Sequence, residues 1–254
     1  LGATCPESAT CARYRFTEKE DLTSASGVQA ALLAVHACQQ RSRGDLLIWC
    51  SIPCTGGCTW NRVNAQFPGG QAKATAHRVL FDKLWKSCVQ ILRYAFASGG
   101  ATVVIEWPRH NDYWNFEFVQ KFCSEFRLFK SNFDGCMYGL VGEASGAPLR
   151  KPWSIASNTS WLGKTLCLTC DGTHKQTRVR ERDAKAAEGY SSSIAVCVHR
   201  AFQTFCLEKS LGAAAPGAPP HLAFVAVSSP STLHVQVHRT LNRSRTAVAI
   251  AIGT

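Results

Sequence analysis

Two short segments place a reactive side chain directly after a run of apolar residues. Ser51-Ile52-Pro53-Cys54-Thr55-Gly56-Gly57 puts a thiol after the run Asp45–Cys50, in a loop rich in backbone N–H groups. A thiolate there is a nucleophile when N–H dipoles or cations lower its pKa. The plainer alternative is a Pro-Cys turn whose thiol only packs. Ile105-Glu106-Trp107-Pro108-Arg109 ends the next apolar run with a carboxylate. Burying a carboxylate alone is expensive, so Glu106 is solvated, paired or useful, with Arg109 the obvious ion-pair partner. Further on, Cys167-Leu168-Thr169-Cys170-Asp171-Gly172-Thr173-His174 offers Cys167, Cys170 and His174 as zinc ligands, with Cys197 or His199 as a fourth. Two unpaired loop cysteines are the alternative. Arg150 and Lys151, and the stripe Lys175, Arg178, Arg180, Arg182 and Lys185, can grip phosphates or form a solvated basic face.

These residues need elements to hold them. Leu46-Leu47-Ile48-Trp49-Cys50 is a continuous apolar run, the pattern of a strand buried on both faces, and Ala101–Glu106 reads as a second buried strand, ended by Pro108. Between them, Leu80, Leu84, Cys88, Leu92 and Phe96 recur every fourth position and predict a helix over about 77–97, stopped by Gly99-Gly100. Ser26 and Gln29 have capping-box spacing at the start of an earlier helix, after a short strand at 13–16. Asn111 or Asp112 can cap a third helix with Trp114, Phe118, Phe122 and Phe126 on one face. Extended segments follow at 128–140 and 153–156, and Ile194, Val198, Phe202 and Phe205 suggest one more helix.

Helices and strands alternating with short connections predict a doubly wound, mostly parallel α/β sheet covered on both faces. In such sheets ligands sit outside the carboxyl ends of the strands, where Cys54 and Glu106 fall. The predicted division is a domain over 1–210, with the Cys/His-containing basic loop at 166–185, and a linker and weakly structured or short-strand tail over 211–254. The tail holds apolar runs at 222–227, 233–237 and 247–252.

The totals narrow the class. At 254 residues with 46% hydrophobic and 18% charged residues, the chain can bury a core and is not disordered. Its net charge of +11 favours polyanionic partners, nucleic acid first. Thirteen cysteines spread over all kinds of segment do not resemble a secreted disulfide framework. With no apolar run of the ~20 residues a membrane span needs and no signal-peptide pattern, the expectation is an intracellular protein, nuclear or cytoplasmic, with free thiols and no membrane partner.

Together, Pro53-Cys54 and Glu106 resemble the paired motifs of DNA cytosine-C5 methyltransferases. In that family the cysteine attacks C6 of a flipped cytosine and the glutamate contacts the ring nitrogen. The resemblance extends loosely to Tyr138-Gly139-Leu140 and Pro148–Trp153, and implies that Arg150 and Lys151 face the catalytic loop, with Arg109 orienting Glu106. The family's Gly-rich turn for S-adenosylmethionine has no counterpart here, and Thr55 and Trp107 replace its Gln and Asn.

Residues 13–206, through Ile-Pro-Cys-Thr-Gly-Gly, Ile-Glu-Trp-Pro-Arg, Phe-Asp-Gly-Cys-Met-Tyr-Gly-Leu, Lys-Pro-Trp-Ser-Ile-Ala and Cys-Asp-Gly-Thr-His, are similar to an uncharacterised domain in mobile-element (retroelement) polyproteins of algal protists. That resemblance implies association with other polyprotein segments. The expectation is a methyltransferase-like nucleic-acid-binding module, cut from a longer chain and lacking its first, cofactor-side strand. The alternative is an active S-adenosylmethionine-dependent cytosine methyltransferase using Cys54 and Glu106. A structural zinc module is a third reading.

Overall fold

A computed structural model describes residues 11–17, 19–42, 45–143, 145–175, 183, 189–212 and 247–253. The chain is an α/β protein. Its strands are β1 (Cys11–Phe16), β2 (Leu46–Ser51), β3 (Thr102–Pro108), β4 (Phe129–Asp134), β5 (Pro152–Ser157) and β6 (Ala247–Gly253). They form one mixed sheet in the order β1-β6-β2-β3-β5-β4. The first four strands in that order run parallel, and β5 is antiparallel to both β3 and β4. The expected α/β class holds, but the doubly wound, mostly parallel sheet is met only in part, because both pairings of β5 are antiparallel. The segment 135–151 that joins β4 to β5 carries a 3-10 turn and no crossover helix, and the chain doubles back beside β4.

The helices are α1 (Ala25–Ser42), α2 (Asn61–Asn64), α3 (Gly70–Ala97), α4 (Glu117–Glu125), α5 (Ser160–Thr165) and α6 (Ser192–Gly212). The cap of α1 is Ser24 rather than Ser26, since Ser24 Oγ accepts the Gly27 N–H at 3.0 Å. Helix α3 begins at Gly70, a turn and more before the first long apolar residue, because Ala74 already packs inward. Its buried stripe runs through Phe81, Leu84, Trp85, Cys88, Ile91, Leu92 and Ala95, and Leu80 lies outside it. Asn111 caps a 3-10 turn at Asp112–Asn115, accepting from the Tyr113 N–H, and α4 starts only after Phe116. In α4 the buried residues are Val119 and Phe122, while Phe118 is exposed.

Leu46 to Cys50 of β2 and Thr102 to Trp107 of β3 are buried on both faces. Side chains alternate across a sheet. Cys50 meets Cys88 of α3 on one face, whereas Trp49 meets Tyr190 on the other. On the second face Gly163 of α5 lies against Ser131 of β4, and Trp161 packs on Phe202 and Phe205 of α6. Helices thus cover both faces. The connection β1–α1–β2 leaves one strand's width open, and β6 fills it. The last apolar run beyond the expected boundary at residue 210 is consequently a strand of the main sheet. The linker and the runs at 222–227 and 233–237 lie outside the described residues. No described helix is long and apolar enough to cross a membrane.

Candidate functional site at the carboxyl end of the sheet

Strand β2 hands the chain to Ile52-Pro53-Cys54 and then to a 3-10 turn, Thr55–Gly57. The Cys54 carbonyl accepts from the Gly57 N–H at 3.1 Å and from Asn111 Nδ2 at 2.8 Å, and Arg78 Nε donates to the Gly56 carbonyl at 3.0 Å. The two glycines are required by close approach. A Cβ on Gly56 would lie 2.3 Å from the Tyr113 hydroxyl and 2.9 Å from the backbone of α3, and one on Gly57 would lie 2.1 Å from Asn111 Oδ1. The half-buried Cys54 is thereby held in place from β3's outgoing loop. Burial pushes its thiol up to about 11, with Lys151 acting downward and Glu106 upward. Cys54 is a neutral thiol near pH 7 and needs a proton acceptor before it can attack.

One step beyond the Cys50–Ile105 register pair, Ser51 stands beside Glu106. Ser51 Oγ donates to Glu106 Oε2 at 2.5 Å, and the Tyr190 hydroxyl donates a short hydrogen bond to the same oxygen. The Tyr190 hydroxyl in turn accepts from Trp49 Nε1 at 3.1 Å and lies 2.7 Å from Ser51 Oγ. Burial raises the Glu106 pKa, while the Ser51 and Tyr190 hydrogen bonds and the charge of Lys151 lower it. Lys151, at the threshold of β5, also sits 4.7 Å over the Trp153 ring. Cys54, Glu106 and Lys151 each act electrostatically within one end of the sheet. Tyr190 had no signal in the sequence, because it lies alone between polar segments and reaches Glu106 only through folding.

Arg109 does not orient Glu106. It reaches across the start of β5 to β4, where it pairs with Asp134 at 2.9 Å and donates to the Phe133 carbonyl at 3.2 Å. Asp134 is fully buried and also faces Arg150 Nε at 3.5 Å and the Cys170 N–H at 2.8 Å. Glu106 projects from the sheet among hydroxyl donors, whereas Arg109 follows Pro108 out of the strand, so the two side chains part. Arg150 remains half exposed at this end, beside Lys151. Arg178, Arg180 and Arg182 lie outside the described residues.

The metal-ligand expectation is also corrected. The side-chain donors of Cys136, Cys170 and His174 lie within 4.8 Å of one another, and Cys167 is not among them. Cys167 is exposed, with its thiol on the Lys164 carbonyl. Neither Cys197 nor His199 of α6 belongs to the group. The ligand that sequence spacing missed, Cys136, sits in the 3-10 turn Gly135–Tyr138 that follows β4. Two cysteines and an imidazole are a donor set suited to zinc.

An adenosyl cofactor fits less well. In the turn after β1, the Glu20 carboxylate is occupied by the Thr17 N–H and hydroxyl, and Asp21 Oδ1 by the Thr23 N–H and hydroxyl. Among the described residues this turn presents no glycine-lined cradle. Comparisons with family models, curated proteins and solved structures gave no match.

Proposed function

We propose that this chain is a methyltransferase-like nucleic-acid-binding module of a retroelement polyprotein, in which the carboxyl end of the sheet receives a base and its flanking phosphate. The observation that carries this reading is the meeting of the Cys54 loop, Glu106 and Lys151 at that end, with Arg150 beside them. Lys151 and Arg150 supply cations for a phosphate, and the net charge of +11 adds a long-range attraction. Both hydroxyl donors land on Glu106 Oε2, which leaves Oε1 to contact a ring nitrogen or exocyclic amine.

The test is fluorescence anisotropy with labelled single-stranded and duplex oligonucleotides over a range of salt concentrations. Binding that weakens with salt is expected. Lys151→Ala should weaken it on every sequence and reduce the salt slope by about 1. No binding at low salt, or an unchanged slope in Lys151→Ala, would reject the module.

The second reading, an S-adenosylmethionine-dependent cytosine methyltransferase, is favoured by one observation, the placement of Cys54 just after β2 and Glu106 near the end of the neighbouring β3. Calorimetric titration with S-adenosylmethionine separates the two. Micromolar binding would support the enzyme, and its absence would leave the binding module.

A further inference from the structure

We propose that Cys136, Cys170 and His174 form a zinc centre that staples the 166–175 loop to the turn after β4. Cys170 and His174 belong to one loop and Cys136 to a turn far from it in sequence, yet the three donor atoms lie within 4.8 Å of one another, and Cys170 Sγ is 3.7 Å from His174 Nε2. Donors at tetrahedral corners around zinc, with Zn–S near ~2.3 Å and Zn–N near ~2.0 Å, are separated by slightly under ~4 Å. The Cys170–His174 pair already has that spacing, and the group as a whole, within 4.8 Å, needs to close by about 1 Å at most to reach it.

The surrounding backbone is built to hold them there. Asp171 Oδ1 accepts from the Thr173 N–H at 3.0 Å and the Thr173 hydroxyl at 2.8 Å, closing the turn between Cys170 and His174. Gly172 adopts φ +83°, and its N–H points at Cys170 Sγ at 3.3 Å. An N–H directed at a thiolate sulfur is the outer-sphere contact that stabilises a zinc-bound cysteine. On the other side, the Cys170 N–H donates to buried Asp134, and the Leu168 carbonyl accepts from the Asp134 N–H at 2.9 Å. The Tyr138 hydroxyl accepts from the N–H groups of Cys167 at 3.0 Å and Leu168 at 3.1 Å. These bonds place the loop against the turn that carries Cys136.

The set C-x2-C within 167–170 is therefore not the metal motif. Cys167 points away to the Lys164 carbonyl, and Cys136 takes its place. Among the described residues no fourth Cys, His, Asp or Glu joins the group. Asp134 is not a donor, since its oxygens serve Arg109, Arg150 and the Cys170 N–H. Water completes the coordination. Binding of Zn2+ releases the thiol protons of Cys136 and Cys170 to solvent and involves no redox step.

The experiment uses the whole chain expressed with zinc and purified under reducing conditions. Elemental analysis is expected to find one zinc per chain, retained in Cys167→Ser and lost in Cys136→Ser. A second measurement needs no variant. In the unaltered protein, brief alkylation followed by peptide mass spectrometry should find Cys136 protected and Cys167 modified, with protection of Cys136 lost at least tenfold after a chelator. Substitution with cobalt should give a thiolate-to-metal charge-transfer band. A zinc-free protein that takes up neither metal would overturn the proposal. So would loss of zinc from Cys167→Ser, or Cys136 alkylation indifferent to the chelator. These readouts do not involve nucleic acid, so they stand apart from the proposed function.

Discussion

The Tyr190 hydroxyl donates to the Glu106 carboxylate across 84 positions of sequence, on the same oxygen that Ser51 already occupies. The pair sits at the carboxyl end of β3, where the carboxylate is buried. Tyr190 stays neutral, because burial and the adjacent Glu106 charge raise its pKa. It can therefore donate throughout the physiological range.

Removing that donor tests the arrangement. Tyr190→Phe keeps the ring against Trp49 and Trp153 and deletes only the hydroxyl. A loss of about 1–3 kcal/mol is expected, the scale for a hydrogen bond to a buried charged group. Urea unfolding at neutral pH measures it, and an unchanged midpoint would show the contact to be energetically idle.

The pH dependence has a definite sign. Folding raises the Glu106 pKa, chiefly by burial, so the folded chain holds this proton more tightly than the unfolded chain. Its contribution to stability is complete below the unfolded carboxylate pKa and is lost as pH rises through the folded value. Glu106→Gln, which keeps an acceptor for Ser51 and Tyr190, should be more stable than the parent at neutral pH. The advantage should vanish in mild acid. Paired unfolding curves at both pH values decide this, and an advantage that grew in acid would reverse the assignment.

Asp134 should be the costliest charge to remove. Asp134→Ala leaves Arg109, whose side chain is 20% exposed, without its carboxylate. A loss of about 3–5 kcal/mol is expected for breaking a buried pair from one side. Arg150→Ala removes a half-exposed partner of the same carboxylate and should cost less than about 1 kcal/mol. Equal losses from the two substitutions would show that the Arg109 pair is not the dominant one.

The cysteines should react in a set order. Cys167 is exposed, whereas the Cys54 thiol is pushed up to about 11 by burial. Iodoacetamide should modify Cys167 first, and Cys54 only slowly until the pH approaches that range. Lys151→Ala removes a charge that lowers the Cys54 pKa and should slow its modification several-fold further. Fast labelling of Cys54 at neutral pH would identify it as an activated thiol and strengthen the enzymatic reading.

Gly56→Ala probes the clamp on the Cys54 loop. The added methyl meets backbone atoms of α3 at 2.9 Å as well as the Tyr113 hydroxyl. Backbone cannot move aside as a side chain can, so a loss of about 1–3 kcal/mol is expected. Thermal unfolding measures it, and a neutral result would mean that the loop shifts freely.

What the sequence determined by itself is what depends on local pattern. Residues 46–50 and 103–105 are apolar without interruption, and such short runs fit strands covered on both sides. The spacing of Leu84, Cys88 and Leu92 is a helix face whatever surrounds it. Cys54 follows β2 and Glu106 lies near the end of β3 beside it, so their place at one end of the sheet is a consequence of chain order.

Tertiary structure alone decided the partners. Arg109 had two acids within reach of its long side chain, and the turn after Pro108 aimed it at Asp134. Cys136 joined Cys170 and His174 because β4 ends where the 166–175 loop is pinned, a meeting with no trace in local spacing. The antiparallel β5, the insertion of β6 and the seating of Tyr190 on Glu106 are likewise contacts between distant segments. Periodicity reports which face of an element is buried, and it carries no information about which distant segment buries it.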